Sequence, residues 1–129
     1  MWFTRAAGIA SSGSTYVPRL GTSNWDFETG DFTLDGNWND LDLSDLVPGN
    51  AKLVHVLVYL RGTTSGACLG VKSFVDTGTQ GTHIIQAQYT EVTLWANLTI
   101  PIGSNGQIKY AELAGSIIGL KITVIGWWK

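Results

Sequence analysis

The run Leu120-Lys-Ile-Thr-Val-Ile-Gly-Trp-Trp128 sets Leu120, Ile122 and Val124 at every second position, with Lys121, Thr123 and Ile125 between them. A two-residue period becomes one apolar and one polar face on a strand and on no helix. The same beat sets Val92, Leu94, Ala96, Leu98, Ile100 and Ile102 against Thr93, Trp95, Asn97 and Thr99. Residues 52–61 enclose a nearly continuous apolar run, which predicts a central strand buried on both faces. Further strands are predicted at 38–43, 69–75, 83–89 and 107–112, with a hairpin over 24–33 that turns at Thr29-Gly30. Ser65 falls in one of the turns, which recur about every ten residues. About eight strands and no helix of two turns predict an all-β fold. The expected form is an antiparallel β-sandwich, jelly-roll-like rather than immunoglobulin-like.

A chain of 129 residues is one domain's worth and can bury a core without disulfides. Charged residues make up 14% of it, well below the ~25% of ordinary soluble domains. So few charges predict a surface that partners cover. Seven of the ten acids lie between Asp26 and Asp45, where there is no base. No basic cluster exceeds two residues, so nothing predicts nucleic-acid binding. Cys68 is the only cysteine, which excludes an intramolecular disulfide. The N-terminus lacks the apolar run of a signal peptide, and no stretch reads as a membrane span. A soluble chain made in the cytoplasm is expected.

Residues 1–24 are small and polar and are interrupted by Pro18 and Gly21. They predict an extended N-terminal arm ahead of a sandwich domain at 25–129, with every strand after Asn24. Trp2, Phe3, Ile9 and Tyr16 would anchor that arm on a neighbour.

Chemistry-bearing motifs are weak. Asp35-Gly-Asn-Trp-Asn-Asp-Leu-Asp42 begins like an EF-hand loop, but its sixth position is Asp40 instead of glycine and its twelfth is Leu46 instead of glutamate. Solvated turn acids that guard an edge strand fit it better. His55 and His83 have no Asp, Glu or Cys two residues away, and no Gly-x-Ser-x-Gly occurs. No catalytic, cofactor or metal site is expected, and no enzyme. The tryptophans carry more. The register of Leu120, Ile122 and Val124 sends Trp128 inward and Trp127 outward with Ile125, and Trp95 also points out. Trp95, Ile125 and Trp127, with the arm's Trp2, Phe3, Ile9 and Tyr16, form the expected partner-binding set. Such a surface predicts self-association, as a homotrimer.

The segments Leu41-Asp-Leu-Ser-Asp-Leu-Val-Pro-Gly-Asn-Ala-Lys52 and Leu120 to Trp128 resemble small jelly-roll proteins and modules of tailed-bacteriophage virions. The likeness spans about residues 38–128. It implies a non-enzymatic virion structural protein made in the host cytoplasm, a capsid decoration (cement) protein bound to the major capsid protein. The alternatives are a tail-fibre or spike component bound to a tail protein, and a lectin-like module in which Trp95 or Trp127 stacks on a surface glycan. The resemblance brings no catalytic residue with it.

Overall fold

A computed structural model describes residues 15–21, 24–63, 66–75, 81–89 and 91–129. Trp2, Phe3, Ile9, Ser65 and most of the expected turn at 77–81 lie outside the described residues. Among these residues eight strands appear: β1 (Tyr16–Pro18), β2 (Asn39–Asp42), β3 (Leu53–Gly62), β4 (Cys68–Ser73), β5 (His83–Gln86), β6 (Leu94–Pro101), β7 (Gln107–Ala114) and β8 (Ile117–Trp128). They make two four-stranded sheets, ordered β1-β8-β3-β6 and β2-β7-β4-β5. All pairings are antiparallel, and β1 pairs with β8, β2 with β7, β3 with β6 and β4 with β5. The chain is thus one long antiparallel ribbon rolled on itself, and β3–β8 and β4–β7 contacts complete the two sheets. That is the connectivity of a jelly roll, and the all-β sandwich expected from the alternation is the observed fold.

The core lies between the sheets. Val54, Val56, Val58 and Leu60 of β3 are fully buried at every second position and meet Leu120, Ile122 and Val124 of β8 and Leu98 and Ile100 of β6. Leu69, Val71, Ile108 and Tyr110 supply the facing sheet. Each such aliphatic side chain contributes about 1.5–3 kcal/mol. Phe32 closes one end, its ring 5.2 Å from Tyr110 and edge to face with it, while the Tyr110 hydroxyl accepts the Thr33 N–H at 2.7 Å. A second end is tied by Gly106, whose φ of +70° and contact with Ser44 leave no room for a Cβ.

Four expectations need correcting. First, the strands do not all follow Asn24, because β1 comes from the segment read as an arm. Its pairs are Tyr16↔Trp128, Val17↔Trp127 and Pro18↔Gly126. Second, residues 24–33 form no hairpin; Phe27 makes a single antiparallel bridge to Ile122, and Thr29–Asp31 form one 3-10 turn. The Thr29-Gly30 pair is a turn as expected, closed by bonds between Glu28 and Asp31, but no ladder continues from it, and Phe27 and Thr29 bond to β8. Third, β3 is buried on one face only. Leu53, His55, Leu57, Tyr59 and Arg61 on the other face are half-buried, with aromatic rings packed on His55 and Tyr59. Fourth, Val75 and Val92 lie beyond the ends of β4 and β6 and are exposed.

Val56 has no exposure, so Val56→Asp would bury an unpaired carboxylate at a cost of several kcal/mol. Expression of that variant should leave no folded protein in the soluble fraction. The N-terminal boundary is also checkable. Deleting residues 2–22 removes β1 and should lower the melting temperature, the opposite of what a dispensable arm would do.

Candidate functional site

With the interior filled by aliphatic side chains, the surface that distinguishes this chain is the outer face of the β1-β8-β3-β6 sheet. Trp95 on β6 pairs across the sheet with Tyr59 on β3, their rings 5.4 Å apart and edge to face. Trp25, from the stretch before Phe27, packs on both, 5.6 Å from Trp95 and 6.1 Å from Tyr59. Lys121 sets its Nζ 5.2 Å from the Tyr59 ring centroid. Such ring pairs add about 0.5–1.5 kcal/mol beyond the area they bury. Trp95 nevertheless keeps 57% of its surface exposed.

A second aromatic group stands at the other end of the face. Tyr16, Trp128 and His55 converge, with ring centroids 4.7 Å apart for Tyr16–Trp128 and 6.0 Å for Tyr16–His55. The Tyr16 hydroxyl lies 3.1 Å from His55 Nδ1, and His55 Nε2 lies 3.3 Å from Asn97 Oδ1. Gly126 makes this cluster possible, since a Cβ there would run into the Tyr16 phenol. Between the two groups is a cleft of about 400 Å³ lined by Leu20, Trp25, Leu57, Thr123 and Ile125, with Leu20 almost wholly exposed.

Asp26 holds the segment that carries Leu20 and Trp25. Its Oδ2 accepts from Arg19 Nη1, from the Thr123 hydroxyl at 2.8 Å and from the Val124 N–H at 2.8 Å. Arg19 also donates to the Val124 carbonyl at 3.2 Å. Burial by itself pushes the Asp26 carboxyl up, but the bonds from Arg19, Val124 and Thr123 together outweigh it and hold the carboxyl below its ordinary value.

The expected partner-binding residues divide three ways. Tyr16, Trp95 and Ile125 share this one face. Trp2, Phe3 and Ile9 fall outside the described residues. Trp127 is corrected: it packs against the core, and Trp128 takes the outer position. The cause is a β-bulge. His55 pairs with Gly126 but Val56 pairs with Val124, so β8 has one residue more than β3 at this point and its inside and outside exchange. The Trp127 indole N–H is then buried with no acceptor among the described residues.

Trp25, Tyr59, Leu57 and Trp128 were not anticipated on this face. Tyr59 and Leu57 were legible in principle, being the off-beat positions of β3. Trp25 was not, because its placement depends on the Asp26 contacts.

The acidic loop is spread out. Asp35 Oδ1 accepts the Asn37 N–H and the Asn39 amide, which hold its carboxyl below the ordinary value, the Asn37 bond first. Asp42 is lowered by Ser44, through its hydroxyl and then its N–H, and Asp40 pairs with Lys109 at 2.9 Å. Among the described residues no three His, Cys, Asp or Glu side chains group closely enough to hold a metal ion. Burial raises the Cys68 thiol above its ordinary value.

No family model matches the chain, and no curated protein matches it. Among solved structures it is similar to the coat protein of Tobacco streak virus in its C2 crystal form. That match has 12% identity and a TM-score of 0.41 over 91% of this chain and 83% of that one. The structure of the same virus's coat protein dimer matches at 12% identity and a TM-score of 0.38, with the same coverage. At these scores the likeness adds nothing to the fold, which rests on the strand order and pairing.

Asp26→Asn should cost about 2 kcal/mol at neutral pH, because it takes the anion from three donors. The wild-type carboxyl is lowered in the folded state, so its contribution is present above the unfolded value of about 4 and is lost as pH falls through the folded value. Denaturant melts of the two proteins should therefore differ at pH 7 and converge in acid.

Proposed function

We propose that this chain is a non-enzymatic structural subunit of a virion, of the decoration (cement) type, which attaches to a capsid surface through the outer face of its first sheet. The observation that carries the reading is the Trp25–Tyr59–Trp95 cluster, assembled on a rigid sheet with Trp95 left largely in solvent. Tryptophan and tyrosine dominate interface hot spots because a large rigid ring buries much area at little entropic cost. Jelly rolls serve viral capsids, lectins and cupins, and they do so differently. Here aliphatic side chains fill the space between the sheets, which favours an exterior, contact-making role over an interior ligand chamber. The resemblance of residues 41–52 and 120–128 to phage virion modules supports the same choice. On this reading the partners are the major capsid protein and further copies of the chain itself, and the protein's final location is the virion.

Adding purified protein to particles assembled without it tests the proposal. Wild-type protein should saturate them at a fixed number of copies per particle, and Trp95→Ala should weaken that binding by about tenfold or more. No uptake by such particles, with binding instead to a tail component or to a glycan array, would overturn the decoration role in favour of a fibre or lectin role.

A further inference from the structure

Among the described residues four strands lie at sheet edges: β1 and β6 in the first sheet, β2 and β5 in the second. Edge strands are commonly kept from pairing with strangers by shortness, charge, proline or a bulge. β1 has three residues and ends on Pro18. β2 has four, of which two are Asp40 and Asp42. β5 also has only four. β6 has none of these devices from Leu94 to Ile100, and its one proline, Pro101, is its last residue. It runs eight residues, from Leu94 to Pro101, and keeps one unbroken register with β3 from Leu60↔Leu94 to Leu53↔Pro101. No Asp, Glu, Lys or Arg occurs anywhere from Val92 to Ile108. Its outward side chains Trp95, Asn97 and Thr99 are exposed, and its inward Leu94 and Ala96 are only half-buried at the rim of the core.

We propose that β6 is the surface through which two copies of this chain join, antiparallel about a two-fold axis at Asn97, so that their first sheets run on as one. The strand's own sequence selects a second copy as the occupant. Turned about Asn97, Leu94 meets Ile100, Ala96 meets Leu98, Trp95 meets Thr99 and Asn97 meets its own counterpart. The inner row is apolar throughout and sets a small side chain against a large one at its centre. The outer row pairs an aromatic ring with a β-branched residue, a favourable cross-strand combination, and an amide with an amide, each both donor and acceptor. No charge is present for the two-fold axis to double into repulsion. Pro101 falls opposite Thr93, beyond the end of the partner β6, so its missing N–H removes no bond from the new ladder. The contact is isologous and closes at two copies, in the manner of strand addition. It stands on the edge strand alone and is independent of what the outer face binds.

Light scattering after size exclusion tests this on the full chain, with thermal melts to show that each variant folds. The wild type should be a dimer at micromolar concentration. Asn97→Lys and Asn97→Asp should each weaken the dimer by about tenfold or more, since each places like charges face to face. An equimolar mixture of the two should regain it, because opposite charges then meet. Ile84→Lys, on the β5 edge, should leave it intact. A wild-type monomer or trimer would overturn the proposal, and so would a dimer that survives both Asn97 substitutions or is lost with Ile84→Lys. If the Asn97 variants do not fold, amide hydrogen exchange of the wild type decides. The β6 amides that point away from β3, every second one between Leu94 and Ile100, should gain protection as concentration rises into the dimer range, and protection that ignores concentration would sink the idea.

Discussion

Between Val124 and Trp127, β8 takes three steps where β3 takes two, from Val56 to Val54. A strand has only two faces, so one extra residue exchanges them for everything that follows. Without it Trp128 would enter the core and Trp127 would stand in solvent. With it Trp127 lies alongside Val54 over the aliphatic core, and Trp128 comes out beside His55 and offers Tyr16 a ring to pack on. That contact helps seat β1, whose three residues could not hold an edge by backbone bonds alone. A second shift, between Arg61 and Gly62, turns Ile117 inward and leaves Ile118 exposed at the start of the same strand.

The bulge also decides what the N-terminal segment must do. Beyond Pro18 the β1 ladder ends, and the side of β8 that faces it still has backbone groups to satisfy. They are taken up one after another. Arg19 N–H reaches the Ile125 carbonyl at 2.9 Å, Asp26 accepts the Val124 N–H, Phe27 exchanges bonds with Ile122, and the Thr29 hydroxyl both donates to and accepts from the Leu120 backbone. Between Arg19 and Asp26 the described residues Leu20, Gly21, Asn24 and Trp25 line the cleft on the outer face. One stretch of chain thus completes the sheet and builds the aromatic surface on it. The buried Asp26 carboxylate, 9% exposed, couples the two tasks.

The parts of this architecture that were legible in the sequence are those set by period two over a long run. The alternation at 92–102 and 120–124 put Leu98, Ile100, Leu120, Ile122 and Val124 in the core, where they are. The strands β2 to β8 were placed to within a few residues. What the pattern could not carry was a change of phase. Ile125-Gly-Trp-Trp reads as an uninterrupted alternation, and only its pairing partner reveals the extra residue. β1 was equally hidden, because three residues ending in proline make no periodic signal. The long apolar run of β3 misled for a different reason. Half-covered aromatic and aliphatic side chains on an outer face look, in sequence, like a strand buried on both sides. For the surface, Trp95 was found by its off-beat position and Tyr16 as an aromatic anchor of the N-terminal segment, whereas Trp25 depends on an ion pair between residues that no short-range rule connects.

The scarcity of charge has a structural counterpart. Acids that would normally dilute an apolar face or guard an edge are here concentrated between Asp26 and Asp45, which hold seven of the ten, and Asp40 and Asp42 sit on the β2 edge of the second sheet. The first sheet is left with an aromatic outer face and an uncharged β6 edge, and Trp95 belongs to both. Its ring packs with Tyr59 and Trp25 on the face, while its backbone lies on the outermost strand. A partner on the face and a partner on the edge therefore meet at one side chain. Trp25 reports on the face alone, whereas Asn97 stands on the edge strand and also meets His55 Nε2 on the face. Whatever orders the Trp95 ring from one side also reduces the entropy lost when the other side is covered, and this favours occupancy of both together.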